Sequence, residues 1–255
     1  MRVVIKIGTS TLAHKTGTLN IRRVEELCKV MSDLKNAGNE VILVSSGAIG
    51  MGVGKLSLAQ KPSDIPTKQA AAAVGQCELM YTYDKLFSEY NHTVAQILIT
   101  GEDIDHSDRR KNFENTMCRL LELSVLPIIN ENDSISTSEI EIGDNDTLGA
   151  IVATAINADL LIILSDIDGL FTADPHKDEN AVLLNTVTEI TPEIENMIGG
   201  VGSNLGTGGM LTKIKAAKIV TNNGIDMVIA NGNNPTVLYD IVDRKNVGTR
   251  FVGRK

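Results

Sequence analysis

The residues best suited to chemistry are two lysines in unusual company. "GTGGMLTK", Gly206 to Lys213, closes a stretch with six glycines from Gly199 to Gly209. A flexible linker would account for the glycines alone, but "GMLTKIKAAKIVTNNG" follows, a helix pattern closed by Gly224. At about 100° per residue, Met210, Ile214 and Ala217 form its buried stripe, with Leu211 and Val220 at the edges. Lys213 falls on that inward side and Lys215 on the outer one. An inward lysine in the first turn leans back toward the helix N-terminus, where free amides and the helix dipole favour an anion. Glycines before it let a phosphate approach the backbone. The competing reading is a solvated lysine after a loop; a phosphate cradle suits the helical face better. It is not a Walker loop, because G-x-x-x-x-G-K-[ST] occurs nowhere in the chain.

Lys6 lies inside the apolar run "VVIKIGTST". Burying its charge without a partner is costly, so its head is expected at the strand end, facing something anionic; the alternative is a solvated edge position. Three acidic clusters accompany the lysines: "NENDS" from Asn130 to Ser134, "GDND" from Gly143 to Asp146, and "SDIDG" from Ser165 to Gly169. Taken singly, Asp146 could be a first-turn helix acid and Asp133 a turn residue. Grouped at one rim, the lysines would balance phosphate charge, while acids and amides held an ammonium-bearing substrate or positioned the lysines. No general base is evident, and a carboxylate acceptor, ionised at pH 7, needs none. "DIDG" lacks the spacing of a calcium loop. Gly50, Gly52 and Gly54 in "SSGAIGMGVG" make GxGxG, a weak dinucleotide signal. Ser45 and Ser46 miss the nucleophile-elbow pattern.

These residues must be placed by the elements around them. Continuous β-branched runs recur: "VVIKIG", "VILVSSG", "VAQILIT", "VLPIINEND", "LLIILSD" and "MVIANG". Their lack of alternation suits strands covered on both faces. Helical patterns lie between them, roughly Ile21 to Ala37, Thr67 to Tyr90, Ser107 to Leu123, Asp146 to Asn157 and Gly209 to Asn223. This alternation predicts an α/β fold with a mainly parallel central sheet sandwiched by helices. In such sheets ligands gather at the carboxyl ends of the strands, where this sequence concentrates Gly, Ser, Asn and Asp. Residues 174–201 are loosely patterned and read as connecting structure.

With 255 residues, 42% of them hydrophobic, the chain can bury a full core. Its 24 basic and 32 acidic residues give a net charge of −8, without the basic footprint of a nucleic-acid binder. Cys28, Cys77 and Cys118 show no metal spacing and read as reduced, mostly packed thiols. No signal peptide or membrane-spanning run is present, so a soluble, cytoplasmic protein with no membrane partner is expected.

Taken in order, "VVIKIGTS", "VSSGAIG", "NENDS", "GDND", "SDIDGLFTADP" and "GTGGMLTK" resemble the amino acid kinase family over essentially the whole chain. "KIGTS", "SSGAIG", "NEND" and "TGGM" together are similar to its glutamate-phosphorylating branch. That resemblance implies ATP, with Mg²⁺, and L-glutamate as substrates, L-glutamyl 5-phosphate as product, proline as feedback inhibitor, and homo-oligomerisation. It implies catalytic roles for Lys6, Lys213 and Asp146, the acid holding both lysines. Ser46, Asp133 and Asn145 would bind glutamate, Asp133 on its ammonium. Ser165, Asp166 and the run Thr207, Gly208, Gly209, Met210, Leu211, Thr212 and Lys213 would line the ATP site; no residue is assigned to the metal. Many bacterial members of the branch continue into a C-terminal PUA domain, an RNA-binding type of module. Here the kinase pattern finishes shortly before "FVGRK", and a single domain over residues 1–255 without a PUA domain is expected. Two alternatives remain: a sibling kinase of the same fold acting on N-acetylglutamate, aspartate, carbamate or UMP, and a non-catalytic ATP or amino-acid sensor. The paired lysines speak against the sensor, and the acid of "NEND" against an acetylated amine.

Overall fold

The computed structural model describes residues 1–14, 18–135, 145–175, 178–199 and 209–254. From the N-terminus run β1 (Arg2–Ile7), α1 (Thr9–Leu12), α2 (Ile21–Asn36), β2 (Glu40–Val44), α3 (Ala48–Lys55), α4 (Ile65–Ser88) and β3 (Val94–Ile99). There follow α5 (Gly101–Asp105), α6 (Ser107–Glu122), β4 (Leu126–Glu131), α7 (Asn145–Ala155), β5 (Leu160–Ser165) and β6 (Thr186–Val187). The chain continues through α8 (Pro192–Gly199), α9 (Gly209–Asn222), β7 (Asp226–Asn231), α10 (Val237–Val242) and β8 (Thr249–Phe251).

The strands form one sheet in the order β3-β4-β2-β1-β5-β7-β8-β6. Its pairs are parallel except β7 with β8. Each of the six β-branched runs is a strand of the parallel part. Val3, Val4, Ile5 and Ile7 of β1 are all fully buried, as a strand with helices on both faces must be. Period-two alternation sends Val4 to one apolar layer, with α6, α7 and α9, and Val3 and Ile5 to the other, with α2, α4 and α10. Lys6 has the parity of Val4 and therefore faces α7 and α9.

Some local expectations change. On α9, Leu211 is exposed and Val220 fully buried; the packed stripe is turned away from Leu211 and includes Val220. Cys77 and Cys118 are exposed, and only Cys28 is packed. Cys77 lines an open cavity beside Gln76, and Cys118 follows the buried Met117 on α6.

The "SSGAIGMGVG" run contains helix α3, which the sequence reading had not identified. Its glycines serve packing. A Cβ on Gly52 would lie 1.8 Å from the Ala71 carbonyl oxygen. One on Gly75 would lie 1.8 Å from the Ala48 carbonyl oxygen and 2.4 Å from the Gly52 nitrogen. Helices α3 and α4 thus touch backbone to backbone. Overpacking such a contact costs about 1–3 kcal/mol, and in a chain this size each kcal/mol moves Tm by about 2–4 °C. Gly75→Ala should therefore lower Tm by roughly 3–10 °C. Gly54→Ala, on the short helix α3 with open space at its Cβ, should hold or raise Tm, since alanine favours a helix by about 1 kcal/mol over glycine. Thermal unfolding of the two variants checks the contact; equal melting would contradict it.

Candidate active site

Because β1, β2, β4 and β5 run parallel, their carboxyl ends share one rim of the sheet. Helices α7 and α9 begin at that rim. Lys6, next to the end of β1, places its Nζ 2.6 Å from Asp146 Oδ1. Lys213, in the first turns of α9, places its Nζ 3.1 Å from Asp146 Oδ2. It also donates to the Gly209 carbonyl one turn back, at 3.1 Å, which is the N-terminal lean expected of an inward lysine. Thr212 Oγ1 adds a hydrogen bond to Asp146 Oδ2 at 3.0 Å. Lys6, Lys213 and Asp146 are 5%, 6% and 0% exposed. Two ammonium groups thus share one carboxylate in a place with little water. Lys215 is exposed on the opposite side of α9.

Van der Waals contact holds the Lys6 stem against α7: a Cβ at Gly149 would lie 3.4 Å from Lys6 Cβ. Asp146 is in the first turn of α7, where the helix dipole favours a negative charge.

A second group lies beside the triad. Asn145 Nδ2 shares its two N–H groups among Ser46 Oγ at 2.6 Å, the Ser45 carbonyl at 2.9 Å and Asn130 Oδ1 at 3.1 Å. Asn130 Nδ2 donates to Gln76 Oε1 at 2.9 Å, and the Ser45 hydroxyl shares a 2.9 Å hydrogen bond with the buried Tyr83 hydroxyl. Ser46 and Asn145 are therefore together. Asn130, within the "NENDS" cluster, was not singled out from sequence, and Gln76 and Tyr83 carried no signal, being single polar residues within a long helix.

Asp133 follows β4 on an open cavity of about 400 Å³ that Gln76, Glu131 and Ala48 also line. Burial, with the negative charge of Glu131 added, pushes its carboxyl up to about 6. No hydrogen bond or ion pair meets Asp133 among the described residues. An unpaired, partly desolvated carboxylate of this kind favours a cationic ligand.

On the other side of the triad, Ser165 ends β5 and its hydroxyl donates to Asp166 Oδ1 at 3.1 Å. Asp166 is exposed, Gly209 is exposed at the start of α9, Met210 packs into the apolar layer under that helix, and Leu211 projects outward. Thr207 and Gly208 lie outside the described residues. The described rim thus joins a cation pair, a helix N-terminus, an amide cluster and an unpaired acid, a set able to hold a phosphorylated ligand next to an amino-bearing one.

The family model described as the amino acid kinase family matches residues 1–231. The chain belongs to the amino acid kinase family. It is 55% identical to a glutamate 5-kinase of Clostridium perfringens, across 100% of this chain and 96% of that one. It is 50% identical to a glutamate 5-kinase of Listeria innocua, across 100% and 94%. Among solved structures it resembles carbamate kinase from Giardia lamblia bound to AMP-PNP, with TM-score 0.72, 16% identity and coverage of 99% and 98%. The T. acidophilum isopentenyl phosphate kinase product complex follows with TM-score 0.65, 16% identity and coverage of 98% and 100%. At such identities the likeness is one of fold. It confirms the helix-covered, mainly parallel sheet of an amino acid kinase.

The triad makes a stability prediction. Removing one partner of a buried ion cluster typically costs about 3–5 kcal/mol, because the remaining charge stays buried. Asp146→Asn leaves two lysines facing each other, so urea unfolding at pH 7 should show a loss of about that size. Adding Lys213→Met removes one of the stranded charges and should restore part of it. A double variant no more stable than Asp146→Asn alone would contradict the ion-pair account.

Proposed function

We propose that this amino acid kinase transfers the γ-phosphoryl group of ATP to the γ-carboxylate of L-glutamate, giving ADP and L-glutamyl 5-phosphate, the first step of proline biosynthesis. The observation that carries the reading is the buried Lys6–Asp146–Lys213 cluster at the sheet rim. Its two ammonium groups suit a phosphoryl group in transit, and proteins named glutamate 5-kinase match 98–100% of this chain.

An oxygen of the ionised γ-carboxylate attacks phosphorus as the bond to the β–γ bridging oxygen breaks. No proton has to be removed first. Lys6 and Lys213 offset the charge on the equatorial oxygens, Asp146 keeps both ammonium groups in place, and the first turn of α9 adds its free amides. Catalysis of this type is mostly positioning and electrostatics. Ser46 and Asn145 lie where they can orient the amino acid, and Asp133 offers a counter-charge for its ammonium. Ser165, Asp166 and residues 209–213 border the nucleotide, and the family resemblance assigns Thr207 and Gly208 to the same site. Among the described residues no three His, Cys, Asp or Glu side chains converge on a metal position; this donor set fits a magnesium ion carried by the nucleotide's phosphates and water, as that ion prefers. Such an ion would neutralise charge on the phosphates. Feedback by proline, self-association and a cytoplasmic location belong to the same reading and are supported by the family resemblance. No helix of the described residues is long and apolar enough to cross a membrane.

The test is ADP release with Mg²⁺–ATP and L-glutamate, N-acetylglutamate, aspartate, carbamate or UMP, with hydroxamate trapping of the acyl phosphate. Turnover with glutamate alone is expected; equal turnover with UMP or N-acetylglutamate would overturn the reading. Lys213→Ala should lower kcat by about 10²–10³, the usual loss for one such donor, while Lys215→Ala on the outer face should be nearly silent. Similar losses in both would refute the inward-lysine role.

Asp133 sets a pH dependence. A carboxyl titrating near 6 is protonated below that pH and cannot pair with an ammonium. The carboxylates of glutamate titrate well below this range. KM for glutamate should therefore rise as pH falls through about 6, approaching tenfold per unit. Asp133→Asn should abolish that dependence and raise KM at pH 7.5 by about thirty- to several-thousand-fold, with KM for ATP and Tm little changed. A lowered Tm with an intact glutamate KM would make Asp133 a turn-former.

A further inference from the structure

Two backbone groups of fixed polarity set the direction of the buried amide chain. The Glu131 N–H can only donate, and it donates to Asn130 Oδ1 at 2.9 Å. The Ser45 carbonyl can only accept, and it accepts from Asn145 Nδ2. With both assignments made, Asn145 Nδ2 also meets Asn130 Oδ1, and the Nδ2 of Asn130 must turn to Gln76 Oε1. Gln76 is 8% exposed, and its Nε2 is left pointing away from Asn130. No acceptor among the described residues meets that nitrogen. Gln76 lines the open cavity beside Asp133, so this donor is free to meet an acceptor that arrives from outside.

The cavity that Gln76 lines narrows the choice. Its walls include Ala72, Met80 and Leu98 together with the acids Glu131 and Asp133. No cationic side chain lines it among the described residues, so an isolated anion would be repelled. A ligand carrying an ammonium on the same carbon as a carboxylate avoids this: the ammonium meets Asp133, and the carboxylate takes the neutral donor. Ala48 also lines the cavity and opens α3, whose N-terminus has no side-chain cap, so its amides favour the same negative group.

We infer that Gln76 reads the α-carboxylate of the acceptor amino acid, its Nε2 donating to that group while its Oε1 holds Asn130, and hence Asn145, in register. This rests on the glutamate-kinase reading and adds to it a specificity residue on α4. Gln76 then distinguishes an α-amino acid from an amine that lacks the neighbouring carboxylate.

Three acceptors and three variants separate the roles. L-Glutamate has every group, 4-aminobutyrate lacks the α-carboxylate, and glutarate lacks the ammonium. In the intact enzyme, Gln76→Met and Gln76→Glu should each lower kcat/KM for glutamate by about 10- to 100-fold, the worth of a hydrogen bond to a charged group, mainly through KM. For Gln76→Glu, which keeps the acceptor that holds Asn130, the loss should persist with glutarate and nearly vanish with 4-aminobutyrate; Gln76→Met, which releases Asn130 as well, should lose activity on all three acceptors. Asp133→Asn should show the reverse of Gln76→Glu, losing activity on 4-aminobutyrate and little on glutarate. A purely structural glutamine would tolerate Gln76→Glu; in that variant, wild-type kinetics or equal losses on all three acceptors would overturn the inference. If Asp133→Asn raises the glutamate KM and the Gln76 variants do not, the inference about Gln76 fails alone. If Asp133→Asn is silent on every acceptor, the placement of the amino acid in this cavity fails with it. A folding defect in either Gln76 variant leaves one direct reading in the unsubstituted protein: the Gln76 side-chain amide resonance should shift with glutamate and glutarate and stay in place with 4-aminobutyrate. An equal shift with all three would also refute the assignment.

Discussion

The Asp146 carboxylate is shut off from solvent between the ammonium groups of Lys6 and Lys213, and the arrangement of the rim follows from satisfying it. Each of these ions loses several kcal/mol of hydration on burial, so the cluster survives only if all three heads are held at contact distance. Three elements distant in sequence hold them. The parity of β1 aims Lys6 at the α7 face, the first turn of α7 delivers Asp146, and the inward face of α9 delivers Lys213. Under the proposed function the same two ammonium groups meet the phosphoryl group in transit, so one set of buried charges answers both to folding and to transfer.

The neutral side of the rim obeys the same requirement in weaker form. Asn145, Asn130, Gln76, Ser45 and Tyr83 are joined by hydrogen bonds, and two backbone groups set the direction of the amide part of the chain. Satisfied networks of this kind are rigid, since breaking any member leaves a buried polar group unmet. Two of the five members come from α4. That helix is fixed relative to the strand ends by the backbone contact of Gly52 and Gly75 with α3. Glycine packing in one layer thus sets the amide geometry where the amino acid is expected to bind.

Much of the fold was legible because its signals are local. A continuous apolar run is buried on both faces wherever it lies, so the six runs from "VVIKIG" to "MVIANG" could be read as parallel strands directly. The inward side of α9 was legible for the same reason, although the stripe turned away from Leu211. Helix α3 was missed because four residues of "AIGMGVGK" are glycine or alanine, a composition that suits a turn as well as a helix, and only the presence of α4 makes those glycines necessary. Strand β8, three residues long, is too short for any periodicity.

For the site, the sequence alone determined the inventory: two lysines in places where a lysine must find a partner, and acids and amides at the ends of strands. Residue type and local period suffice for that, because desolvation cost and helical face are local properties. Only the tertiary structure decided the pairing. That Asp146 takes both lysines, that Asp133 meets no partner among the described residues, and that a glutamine midway along α4 faces the same cavity depend on which chain segments the sheet and its helices bring together. Hydrogen bonds and ion pairs act over about 3 Å, while the partners in the ion cluster are separated by up to 140 positions, from Lys6 to Asp146.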